Sequence, residues 1–372
     1  MSVTKSQVRD YIEENRDELV EFLSELVAAE SLPGQEQPAQ AVMRKKFESL
    51  ELDIDAWEPD IEDLKDHPAF FETNTYEEYG YDGRENLAAT APGSGDGRSL
   101  TFSGHVDVVS PEPIADWNYD PWDTTVEDGR IYGRGTYDMK GGVVAMTMAY
   151  QALAELGIEL EGDLTLQTTI EEEAGGIGGV LSALERGYQP DAAIITEPSG
   201  VPTLGVASAG VRYFRVRVPG KAAHTAFQFQ GVDAVGKALK IYQRMAALYE
   251  ERNERIEDYE PAVRQYPDAA GSTTNLSLTN IEVPGSWTST VPGETVMEYR
   301  IGWPPNTGET SEDIREEVES AIQEVVDDDE WMSEHPPEIE WFGWDAEPHE
   351  VDFESEFFKL VCTETEDVTG GK

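Results

Sequence analysis

Two short stretches of this chain carry side chains that can do chemistry together. Ser103-Gly104-His105-Val106-Asp107-Val108-Val109 and Gly133-Arg134-Gly135-Thr136-Tyr137-Asp138-Met139-Lys140-Gly141-Gly142 set a histidine, an aspartate two residues on and a lone carboxylate where apolar text runs into glycine-rich turns. Along an extended strand, side chains two apart share a face. His105 can therefore offer one ring nitrogen to a cation while Asp107 lies near enough to orient the ring. Further acids follow in the same setting. Glu171-Glu172-Glu173 comes directly after Leu164-Thr165-Leu166-Gln167-Thr168-Thr169-Ile170 and before Ala174-Gly175-Gly176, and Glu197 follows Ala193-Ile194-Ile195. The glutamate run means little alone, since roughly three such triplets arise by chance in so acidic a chain. Its place at a strand exit is the informative part. His105, Asp138, Glu172, Glu173 and Glu197 all read as lying at such exits, and together they make a nitrogen and oxygen ligand set suited to zinc, cobalt or manganese.

Elements must bring these exits together. A first helix is predicted on the apolar spacing of Val8, Ile12, Leu19, Phe22, Leu23, Leu26 and Val27, and a second over 39–50. The acidic, aromatic stretch 58–85 has no clear period and reads as a surface loop or insertion. Strands are predicted at 86–90, 99–103, 163–170 and 192–196, with helices at 142–156 and 178–186 between them. That alternation predicts an α/β sheet with helices on both faces, whose chemistry gathers beyond the carboxyl ends of the strands. From Gly210 the text changes. A strand over 211–218, a helix over 233–250, strands near 273–281 and 295–301, a helix over 311–326 and a strand over 338–342 form a β-α-β-β-α-β unit of ferredoxin-like type. Because 351–368 reads as another helix able to return to the first domain, this unit looks inserted. The expected division is 1–209, 210–344 and 345–372.

Composition narrows the partners. The 372 residues hold 76 Asp+Glu against 27 Lys+Arg, a formal charge of −49. Such a chain repels nucleic acid. Acid spread along the whole length suggests adaptation to concentrated salt, where fields are screened within about 3 Å at molar ionic strength. An ordinary acidic enzyme is the plainer alternative. Cys362 is the only cysteine, so no internal disulfide can form. The N-terminus has no signal-peptide pattern, and no apolar run approaches the roughly 20 residues that span a bilayer. A cytoplasmic protein without membrane partners is expected.

Taken in order, these motifs resemble the M20 family of metallopeptidases and amidohydrolases, which includes acetylornithine deacetylase, succinyl-diaminopimelate desuccinylase, carboxypeptidase G2-like enzymes and aminoacylases. The resemblance covers nearly the whole chain and, with the composition, points to a haloarchaeal-type member. It implies a zinc-peptidase-like α/β catalytic domain with a mixed central sheet, plus an inserted α+β lid that makes a homodimer. It further implies two divalent cations, zinc, cobalt or manganese. His105 and Glu197 would bind one, Glu173 the second, and Asp138 would bridge them. Asp107 would orient His105, Glu172 would be the general base, and Glu171 stands where the family usually has Asp. The implied reaction is hydrolysis of an amide in an N-acylated amino acid or small peptide.

The segment Gly220-Lys221-Ala222-Ala223-His224-Thr225-Ala226 resembles the family's histidine motif, so His224 would stabilise an oxyanion in the partner subunit's site. Asn275 and Arg300 resemble substrate-contacting positions, with a surface ion pair as the other reading of Arg300. His67, His335 and His349 read as surface residues. One feature departs from the family pattern. A last histidine ligand is expected after a glycine-rich turn, yet the sequence stops at Asp367-Val368-Thr369-Gly370-Gly371-Lys372. Either the text belongs to a longer enzyme, as its unbroken pattern up to that point suggests, or a shortened relative has lost one metal. In the latter case the chain would be a metal-poor binding protein rather than a catalyst.

Overall fold

Alternating apolar text builds two separate sheets, one in each of two compact units, Met1–Thr203 and Leu204–Lys372. The structure, a computed structural model, describes residues 4–370. Met1-Ser2-Val3 of the N-terminal reading and Gly371-Lys372, on which the chain-end expectation turns, lie outside the described residues.

The first unit holds strands β1 (Asp53–Trp57), β2 (Asn86–Ala91), β3 (Leu100–His105), β4 (Leu164–Thr169) and β5 (Ala192–Ile195) in the order β1-β2-β4-β3-β5. β1 and β2 run antiparallel, as do β2 and β4, whereas β3 lies parallel to both β4 and β5. The sheet is therefore mixed. Its faces follow the period-2 alternation of β2. Leu87 and Ala89 pack with Leu26, Val27, Phe47, Val143 and Met148 of the helices Arg16–Ala28, Gln37–Ser49 and Lys140–Glu155, while Ala88 turns to Trp57 and Ala183 on the opposite face. Every residue of β4 is buried, as a central strand covered on both faces requires.

Three local expectations need correction. The N-terminal pattern forms two helices, Lys5–Glu14 and Arg16–Ala28, because Asn15 leaves helical geometry and its amide donates back to the Tyr11 carbonyl at 2.8 Å. The 178–186 helix opens with a π-helical turn, Ile177–Leu181, before the short helix Ser182–Glu185. The acidic stretch 58–85 is largely exposed but is more than a surface loop. It contributes Leu64 and Tyr81 to a buried cluster with Ile170, Ile177 and Leu181, and it also buries Thr73 and Arg84. β1, short and rich in acid, is a strand beyond those predicted.

The second unit contains β6 (Gly210–Pro219), β7 (Asn275–Glu282), β8 (Glu294–Trp303) and β9 (Glu338–Ala346), all antiparallel, in the order β7-β8-β6-β9. This is the ferredoxin-like arrangement. On one face Phe214, Val216, Val218, Met297, Tyr299 and Ile301 pack against the helices Ala234–Arg255 and Ser311–Asp327. On the other, Arg215 lies in register between Glu298 and Glu340 and pairs with both, at 2.7 and 2.9 Å. The C-terminal helix Glu356–Thr369 lies within this unit as well. Among the described residues, no helix is long and apolar enough to cross a membrane.

Candidate metal centre

Because β3, β4 and β5 are parallel neighbours, their carboxyl ends open on the same side. That register brings His105, the last residue of β3, to Glu172 and Glu173 after β4 and to Glu197 after β5. Asp138 arrives differently. It sits in the turn between the ribbon Thr125–Glu127/Arg130–Tyr132 and the helix Lys140–Glu155, so the start of that helix places it rather than a strand exit.

The His105 Nε2 atom lies 3.3 Å from Asp138 Oδ1, 3.7 Å from Glu172 Oε2 and 3.6 Å from Glu197 Oε1. The imidazole is 1% exposed, whereas those three carboxylate side chains are 40–54% exposed, so the cluster has a buried floor and an open front. Donor atoms fall into two groups within 4.8 Å, His105–Asp138–Glu173 and His105–Glu172–Glu197. Glu172, expected as the base, thus stands among candidate ligands too.

Asp107 lies near enough to orient the His105 ring, and it has a further job that its spacing did not suggest. β3 ends at His105, and the chain turns so that the Asp107 carbonyl, 2.8 Å from Nδ1, accepts the ring proton and leaves Nε2 free to face a cation. The Asp107 carboxylate, 3.5 Å from Nδ1, also accepts from the main-chain N–H groups of Glu172 at 3.2 Å and Glu173 at 3.0 Å. One buried aspartate therefore ties two strand exits together.

Electrostatics indicate what this cluster needs. Burial, reinforced by Asp138 and Asp107, pushes the Glu173 carboxyl up to about 7. Burial with Glu172 and Asp138 nearby does the same for Glu197, again to about 7. Burial alone would lower His105, but Asp107, Glu172 and Glu197 outweigh it and push the ring up to about 10. Carboxylates so crowded hold protons that a cation would displace, and an imidazole with carboxylate oxygens is the donor chemistry of zinc, cobalt and manganese. The residues fit such ions.

Sequence reasoning missed two buried supports. Lys140, two residues past Asp138, is fully buried and donates from Nζ to the Leu26 and Ala29 carbonyls, both at 2.9 Å, with burial pushing it down to about 7. Glu171 turns away from the cluster and is held by Thr73, Tyr81 and Arg84. The signal for the latter was a lone arginine beside tyrosines in otherwise acidic text.

Close packing joins the centre's walls. A Cβ at Gly142 would lie 2.1 Å from the Thr196 carbonyl oxygen, so the helix that follows Asp138 rests against the strand exit that carries Glu197. Gly142→Ala is expected to lower stability by about 1–3 kcal/mol through overpacking, read as a drop in the thermal midpoint, and to weaken metal binding.

The other sequence-predicted residues lie in the second unit. His224 ends the two-residue strand Ala223–His224, is exposed, and accepts the Ala226 N–H at Nδ1 over 3.1 Å. Arg300 donates to the Asn275 side-chain oxygen, so these two form one unit. His349 is exposed in the strand His349–Glu350, which pairs with Ala207–Ser208.

A mixed α/β sheet with carboxylates and one histidine at adjacent strand ends defines a metal-dependent amidohydrolase or peptidase. Residues 101–372 match the peptidase family M20/M25/M40, and the chain belongs to it. It is 28% identical over 346 residues to an N-formyl-4-amino-5-aminomethyl-2-methylpyrimidine deformylase of Halalkalibacterium halodurans, covering 90% of this chain and 73% of that protein. Identity with the deformylase of the same name from Bacillus subtilis is 30% over 273 residues, 71% of this chain and 61% of the relative. The fold is similar to that of an M20 family metallo-carboxypeptidase from Sulfolobus solfataricus, with a TM-score of 0.69, 17% identity and coverage of 95% of this chain and 84% of that one.

Proposed function

We propose that this chain hydrolyses the amide of a small N-acylated amine, with an N-formyl group as the first candidate and acetyl or succinyl amino acids as the next. The observation that carries the reading is the convergence of His105, Asp138, Glu172, Glu173 and Glu197 at three neighbouring parallel strand ends. His105, Glu173 and Glu197 would hold two divalent cations, with Asp138 between them. When bound, the ions supply Lewis acidity to the carbonyl and activate the attacking water. Glu172 takes the proton of that water at its carboxylate and passes it to the departing amine. Asp107 keeps Glu172 and Glu173 in place through their main-chain N–H groups, and its carbonyl fixes the tautomer of His105.

The second unit would serve as a lid and dimerisation domain. His224 suits an oxyanion donor, because engagement of Nδ1 by the Ala226 N–H leaves the proton on Nε2. In a homodimer it would act in the partner subunit's site. Arg300, aligned by Asn275, would grip a substrate carboxylate. A formamide lacking a carboxylate would not need that grip. Arg300 dependence therefore separates the acyl-amino-acid reading from the deformylase reading.

The test uses the purified chain in concentrated KCl, stripped with a chelator and reloaded with zinc, cobalt or manganese. Release of formate from N-formyl amines and of acetate or succinate from acyl amino acids is measured. Chelation is expected to cost on the order of a hundredfold or more in rate, restored by at least one ion. Tight metal binding without cleavage of any of these amides would overturn the reading in favour of a binding protein.

A further inference from the structure

We propose that Thr73, Tyr81 and Arg84 are positioning residues for the loop that carries the base and a metal ligand, acting through the buried side chain of Glu171. The proposal rests on the reading of Glu172 and Glu173 given above, and it comes from the segment 73–84, which touches the centre only from behind.

Glu171 is fully buried, directly precedes Glu172 and holds its backbone at φ +65°, a region that side chains with a Cβ seldom enter. Its carboxylate receives three donors. Thr73 Oγ1 donates to Oε1 at 2.5 Å, the Tyr81 hydroxyl to the same oxygen at 3.4 Å, and Arg84 Nη2 to Oε2 at 3.0 Å. The chamber is closed. A Cβ on Gly178 would lie 2.4 Å from Tyr81 Cε1 and 3.0 Å from Glu171 Oε2. Beside it, the Asn86 side chain accepts the Ile170 N–H at 3.1 Å and donates to the Gly178 carbonyl at 2.8 Å, which clips the loop at both ends.

Charge balance argues that stability alone does not explain this chamber. Glu36, also fully buried, already takes Arg84 through Nε at 3.0 Å and Nη2 at 2.7 Å. One carboxylate neutralises the guanidinium. A second buried carboxylate adds a desolvation cost that an apolar residue would avoid. What Glu171 provides is a fixed point in a left-handed turn, next to residues whose side chains must meet His105. In front, Asp107 holds the N–H groups of Glu172 and Glu173; behind, Thr73, Tyr81 and Arg84 hold Glu171. The backbone of the loop is thus pinned from two sides at the residues that carry the two carboxylates.

The test is the full chain carrying Thr73→Val with Tyr81→Phe, which keeps the buried charges paired, and separately Arg84→Lys. Thr73→Ser serves as the conservative rescue, because it retains the hydroxyl that also caps the helix Asn74–Tyr79 by accepting from Tyr76 N–H. Two readouts are taken, Co²⁺ affinity with its visible absorption spectrum, and kcat and KM for the best amide substrate. The double variant is expected to bind Co²⁺ about tenfold more weakly with an altered spectrum, and to lose about ten- to a hundredfold in kcat with KM nearly unchanged. Thr73→Ser should keep both near the wild-type values. A folded double variant with wild-type Co²⁺ affinity and spectrum overturns the proposal, and it decides alone if Arg84→Lys does not fold. Failure of the proposed activity shows separately, as absence of turnover in the wild type, where the Co²⁺ readout still decides the positioning role.

Discussion

Glu172→Gln is expected to lower kcat by about three orders of magnitude, within the span that a general base contributes, while KM changes only a few-fold. Glutamine keeps the shape of the side chain but cannot take a proton. Asp107 holds residue 172 through its main-chain N–H, so the substitution leaves the backbone anchor intact. His105, Asp138, Glu173 and Glu197 remain as the proposed ligands, and metal content is expected to stay at the wild-type level. That second measurement matters because Glu172 also falls in a candidate donor group with His105 and Glu197. Loss of a metal with the activity would make Glu172 a ligand, and a variant retaining a tenth of the rate would remove it from the mechanism altogether. The pH profile supplies a sign. Burial raises the Glu172 carboxyl, with His105 opposing and Asp107 and Asp138 reinforcing, and only the ionised form can accept a proton. Bound cations beside it oppose that rise, so activity should fall as pH drops through the Glu172 pKa that this balance sets, a limb absent from the residual rate of Glu172→Gln.

The parts of the centre legible in the sequence are those set by local text at strand ends. His105, Glu172, Glu173 and Glu197 each end or follow an apolar run, and parallel pairing of β3 with β4 and β5 did the rest. Asp138 was identified by its glycine-rich setting but not located, because a small ribbon and a helix start place it. Asp107 reaches the His105 ring as its spacing suggests, but because β3 stops at His105 the turn brings its carbonyl to Nδ1 and sends its carboxylate on to two further main-chain N–H groups, which the period-2 argument does not foresee. The support around Glu171 was invisible for another reason. Thr73 and Arg84 lie 98 and 87 residues from Glu171, in a segment whose acidity suggested solvent. Composition reports the average of a segment, while burial selects single members of it. Arg300 and Asn275 pose a register problem, since they become neighbours only because Arg300 faces Ser277 across β7 and β8. In the fold, the long amphipathic helices and alternating strands of the second unit were readable for the opposite reason, as their period persists over many residues.

Removing salt is expected to unfold this protein well before ordinary conditions would. Its formal charge of −49 leaves an excess of acid that no arrangement of its cations can pair. The structure already commits many of those cations to acids, with Arg252 and Arg255 shared between Glu309 and Glu317, and Lys237 and Lys240 both on Asp329. The remaining acids repel one another on each unit. At 0.1 M salt the screening length is about 10 Å, long enough for neighbouring surface carboxylates to interact, and near 1 M it falls to about 3 Å. The thermal midpoint should rise by roughly 10 °C or more between 0.1 and 2 M KCl, several kcal/mol for a chain of this size, with most of the gain reached near 1 M. Sucrose at matched osmolality, which screens nothing, should give a much smaller rise. Protons should partly replace salt in the metal-stripped chain. Glu173 and Glu197 hold their protons up to about 7 in the fold, so their contribution to stability is lost as pH rises through that value and recovered as it falls toward the ordinary carboxylate range. Bound cations should reverse that trend at the centre, because they favour the ionised carboxylates. A midpoint that moves only a few degrees with KCl, or that tracks sucrose as closely as KCl, would mean that the acidic surface is tolerated by the fold rather than screened by its surroundings.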